Sequence, residues 1–88
     1  MVRKVSVTPT DRGRDVDSID GVYDAHIRIE KVDGERMIAV DVFDSSIKGA
    51  NRAHVESDLF ESTVAGAREA QEFLDDYKFA VQVHPPHS

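Results

Sequence analysis

His26 and His54, with the carboxylates around them, are the side chains of this chain best suited to proton transfer or metal binding near neutral pH. His26 is expected to lie directly across a β-ladder from Asp41. A histidine beside a carboxylate can be oriented as a general base. No nucleophile is placed beside that pair, and an exposed charge pair of small energetic worth is its ordinary meaning. His54, Glu56 and Asp58 alternate along one short segment and should share one face of a strand. Joined to His26 and Asp41 they would offer nitrogen and oxygen ligands to zinc or another divalent ion. The close-spaced ligand pairs of helical or finger-type sites are missing, so no metal is expected.

Two other segments invite a chemical reading. Asp15, Asp17 and Asp20, followed by Gly21, superficially resemble a calcium loop. Counted from Asp15, however, the fifth position is Ile19 and the twelfth is His26, where a bidentate glutamate should stand. An acidic, solvated loop is expected instead. His84 and His87 flank a Pro-Pro pair and could hold only an adventitious ion. Gly-rich phosphate loops and nucleophile elbows are absent from the sequence. The expectation is therefore a non-enzyme without a cofactor.

The element that positions most of these residues is a β-hairpin, Val22 to Asp44, closed by Asp33-Gly34. Asp-Gly between alternating apolar runs favours a type I′ turn, which needs positive φ at both central residues. That turn fixes the register: Val32 opposes Glu35, and outward from there Ile29 opposes Ile38, Ile27 opposes Val40, His26 opposes Asp41, and Asp24 opposes Phe43. Alternation then puts Tyr23, Ala25, Ile27, Ile29, Ile38, Val40 and Val42 on one face, which must be buried. The other face carries Asp24, His26, Arg28 and Glu30 opposite Met37, Ala39, Asp41 and Phe43. Met37, Ala39 and Phe43 on an otherwise charged face suggest that a partner covers it, with His26, Arg28 and Asp41 supplying polar contacts.

The remaining elements are weaker in pattern. Val5 and Val7 mark a short edge strand within residues 2–8, stopped by Pro9. Residues 9–21 read as a polar loop without periodicity. Ala53 to Phe60 forms a third meander strand, with Val55, Ser57 and Leu59 on one face. Ser62 caps a helix from Thr63 to Tyr77, whose apolar stripe is Val64, Ala67, Ala70, Gln71, Leu74 and Tyr77. Gly66, beside Ala65 and Ala67, would let that helix lie close to the sheet. Phe79, Val81 and Val83 alternate as a last strand returning to the sheet, and 84–88 form a flexible tail.

These elements make one α+β domain spanning 1–88: an antiparallel sheet of three to five strands with one helix packed on one face. The stretch from Tyr23 to Tyr77 resembles small bacterial domains of unknown function with a strand–strand–strand–helix order. The resemblance rests on Phe60-Glu-Ser62 followed by Ala67, Ala70, Phe73 and Leu74, and it implies the fold without any catalytic residue.

Composition narrows the function classes. The chain of 88 residues is 40% hydrophobic and 32% charged, and its formal net charge is −6. Nucleic-acid binding depends on Lys/Arg contacts to phosphate, so this balance disfavours it; Arg12-Gly-Arg14 is the one basic candidate, flanked by Asp11 and Asp15. No apolar run approaches the ~20 residues that span a bilayer, and no apolar leader is seen, so the cytoplasm is the expected compartment. The absence of cysteine removes disulfides, thiolate catalysis and thiolate metal sites. A non-enzymatic protein-interaction module, self-associating or binding a protein through the open sheet face, is the leading expectation. An acidic inhibitor or nucleic-acid mimic, using Asp11, Asp15, Asp17, Asp20 and the helix acids Glu69, Glu72, Asp75 and Asp76, is the alternative. A small metal-dependent enzyme comes third.

Overall fold

The computed structural model describes residues 3–47 and 52–86. Gly49 and Asn51 of the loop after the hairpin, and His87 of the tail, lie outside them. Among the described residues the order is β1 (Val5–Val7), β2 (Arg14–Asp17), β3 (Tyr23–Val32), β4 (Glu35–Asp44), β5 (His54–Glu61), α1 (Val64–Asp76) and β6 (Val81–Val83). Strands β2-β3-β4-β5 form a four-stranded antiparallel sheet, and β1 and β6 form a parallel pair. The architecture is α+β, as expected.

The hairpin has the register read from its turn. Asp33 and Gly34 take φ of 52° and 83°, and every pair from Val32↔Glu35 to Asp24↔Phe43 is present. Ala25, Ile27, Ile29, Ile38, Val40 and Val42 are buried together with Val16 and Phe60. Helix α1 covers this face beside β4 and β5 through Ala67, Ala70 and Leu74, while Val7, Phe79, Val81 and Val83 complete the same core. Both second-layer elements therefore sit on one side of the sheet.

The helix begins one residue later than expected. Thr63 is the cap, and its hydroxyl accepts the Gly66 N–H at 3.0 Å. Ser62 and Thr63 are both competent caps, and Thr63 has the extended backbone of a cap, with φ −130° and ψ 172°. Val64 leaves the apolar stripe and is 64% exposed. Gly66 is needed for closeness. A Cβ there would lie 1.8 Å from the Glu61 carbonyl oxygen.

Two expectations are corrected. Residues 9–21 are not one loop, since Arg14–Asp17 adds a fourth strand to the sheet and buries Val16 against Ala25. The C-terminal strand does not return to the main sheet; Val81–Val83 pairs with β1 alone. The β1–β6 pairing extends one residue further, where the His84 N–H donates to the Val7 carbonyl at 2.9 Å.

Candidate functional site: the uncovered sheet face

The face of the sheet opposite α1 carries rows set by the strand registers. Asp15, His26, Asp41 and Ser57 form one row across β2 to β5, and Arg28, Ala39 and Leu59 form the next across β3 to β5. Met37 lies between Glu30 and Glu61 in the row nearest the turn. All six residues expected to form an interface, His26, Arg28, Met37, Ala39, Asp41 and Phe43, lie on this face.

Its polar partners differ from the expected ones. His26 does face Asp41 across the ladder, but its ring turns the other way, toward β2. Its Nδ1 meets Asp15 Oδ1 at 2.8 Å. A carboxylate only accepts, so the histidine proton sits on Nδ1 in this contact. Gly13 makes room for the ring. Its φ is +80°, and a Cβ there would come within 2.4 Å of His26 Nε2. Asp41 instead accepts from the Arg28 guanidinium on the neighbouring strand and lies 4.0 Å from His54 Nε2. Arg28 also reaches Glu30 at 3.4 Å. Asp15 is not expected beside His26 from the sequence, because a single apolar residue, Val16, is all that marks β2 in a polar stretch.

A β-bulge between Val42 and Phe43 rearranges the third strand. Val42 pairs with Glu56 and Phe43 with His54, so the extra residue sends His54 to the uncovered face while Glu56 and Asp58 stay on the helix side. The expected common face of His54, Glu56 and Asp58 is thereby split. Ser57 and Leu59 do share a face, as expected. Among the described residues no three histidine or acidic side chains gather as metal ligands. The Asp15–Asp20 stretch is divided as well: Asp15 sits in β2, whereas Asp20 lies in a turn, accepting from Ser18 Oγ at 2.8 Å and Val22 N at 3.1 Å. Those bonds hold the Asp20 carboxyl below its usual pKa, the Ser18 bond first.

The apolar members of the face are not equally available. Phe43 is roofed by the Arg52 guanidinium, 3.8 Å from its ring centroid, and edged by His54. Ala39 is only 2% exposed and lies in a shallow depression of ≈ 350 Å³ lined also by Arg28, Glu30, Asp41, Ser57, Asp58 and Leu59. Leu59, 41% exposed, is the larger apolar contact and was not among the expected interface residues.

On the covered side, the Tyr77 hydroxyl donates to Glu56, tying the end of α1 to β5. That bond, with the adjoining negative charge, pushes the Tyr77 pKa up to about 12. No protein-family model matches this chain, and no curated protein or solved structure matches it. Among the described residues no helix is long and apolar enough to cross a membrane.

Proposed function

We propose that the protein is a non-enzymatic interaction module that binds a protein, or a second copy of itself, through the uncovered face of the four-stranded sheet. One observation carries the reading: α1 and the β1–β6 pair both pack on the opposite face, so among the described residues no second layer lies over Met37, Ala39 and Leu59. The depression over Ala39 would take a small apolar group, and the Arg28–Asp41 pair at its wall would orient a polar one. We take the compartment to be the cytoplasm.

The test uses Met37→Glu. Met37 is half-buried between Glu30 and Glu61, and a third carboxylate there would repel any apolar partner without touching the core. Ala39→Arg is less suitable, because Ala39 is almost fully enclosed. Sedimentation and affinity capture should show an associated species with the wild type and none with Met37→Glu, with circular dichroism showing that the variant, slightly destabilised by the carboxylate added between Glu30 and Glu61, is still folded. Association that survives Met37→Glu would remove this face as the interface. Association that vanishes in moderate salt in both proteins would favour the acidic-mimic reading, since apolar contacts respond little to ionic strength.

A further inference from the structure

The edge of β5 is a second surface, independent of the uncovered face. In the hairpin the two-residue turn makes Val32 and Glu35 a hydrogen-bonded pair, and such pairs alternate along the ladder. Glu35, Met37, Ala39 and Asp41 thus bond toward β3, while Ile38, Val40 and Val42 bond toward β5. Their β5 partners are Phe60, Asp58 and Glu56. Ser57 and Leu59 consequently turn their backbone N–H and C=O groups away from the sheet, where β5 is the outermost strand. The Leu59 N–H is held by the carboxylate of the adjacent Asp58 at 2.8 Å. Among the described residues no strand pairs with this edge, and His54 to Leu59 are all exposed.

Acidic side chains predominate beside this edge. Glu56, Asp58 and Glu61 belong to β5 itself. Phe73 of α1 packs on Phe60, which turns the helix flank bearing Glu69 and Asp76 toward the same side. A second copy would set Glu56 and Asp58 against the same carboxylates, and like charges across a ladder are destabilising. A cationic strand would meet them favourably.

We propose that the outer edge of β5 accepts an extended, Lys/Arg-bearing segment of a partner protein as an added strand. The incoming carbonyl replaces Asp58 on the Leu59 N–H, and the released carboxylate pairs with a cationic side chain of the segment. Strand addition takes its affinity from main-chain hydrogen bonds and its selectivity from alternate side chains.

The probe is an end-blocked peptide, Lys-Val-Lys-Val-Lys-Val, compared with its Glu-Val counterpart and with a copy N-methylated at its valines, whose N–H groups face β5 when the lysines stand opposite Glu56 and Asp58. The expected result is binding of the Lys-Val peptide with amide shifts centred on Ser57 and Leu59, and weakening of about tenfold for each backbone hydrogen bond lost to methylation. Ser57→Pro removes only an outward N–H and should also weaken binding, and the methylated peptide gives the same information if that variant fails to fold. Equal binding of the methylated or the Glu-Val peptide would overturn the proposal, as would the absence of binding. Met37→Glu leaves this edge intact, so failure of the uncovered-face reading would not alter the result.

Discussion

The edges of the two sheets end in different ways. In the β1–β6 pair one outward backbone group on each strand is held by a side chain from another element. Gln71 of α1 accepts the Val83 N–H at 3.2 Å, and Arg14 of β2 donates to the Ser6 carbonyl at 3.2 Å. In the main sheet, among the described residues, the outward Leu59 N–H of the β5 edge is held by its own neighbour Asp58. A guard borrowed from another element ties that edge to the tertiary structure. A guard from the next residue costs little to displace. The difference teaches where a chain can be added: three-residue strands are locked in place, and the eight-residue strand is left addressable.

The comparison can be broken hardest at Gly66. Gly66→Ala should lower stability by about 2 kcal/mol, roughly 3 from forcing a Cβ against the Glu61 backbone less roughly 1 gained in helix propensity. Urea unfolding checks it, and an unchanged midpoint would mean that α1 does not press on the end of β5. Gln71→Ala should cost about 1 kcal/mol by leaving the Val83 N–H without its acceptor, and should loosen β6 while β5 is unaffected. A smaller effect is expected from pH. Tyr77 holds its proton more tightly folded, at about 12, than the ordinary 10.0 of the unfolded chain. Its contribution is therefore complete below pH 10 and is lost as pH rises through about 12. Tyr77→Phe should flatten that alkaline decline in unfolding midpoints.

Much of the fold was legible because its signals are local. Asp33-Gly34 and two runs of period two specify the hairpin register, and with it the rows on which His26, Arg28 and Asp41 stand. Arg14–Asp17 was not legible, since a single apolar side chain, Val16, distinguishes it from a polar loop. That omission hid Asp15 as the partner of His26. The bulge opposite Val42 and Phe43 leaves no mark in the pattern of β5, yet it decides that His54 parts from Glu56 and Asp58. The β1–β6 pairing joins the two ends of the chain, and Val5-Ser-Val and Val81-Gln-Val say only that each is a strand. Arg28 reached Asp41 diagonally because a long side chain is not confined to the residue directly opposite.

The most direct test of the difference between the edges is native-state amide hydrogen exchange, residue by residue, in the unliganded protein. Protection along β5 should alternate: slow at Glu56, Asp58 and Phe60, fast at Ser57, intermediate at Leu59 under its Asp58 guard, with Val83 slower than Ser57. Uniform protection through β5 would mean that its outer edge is already covered, and would contradict the account.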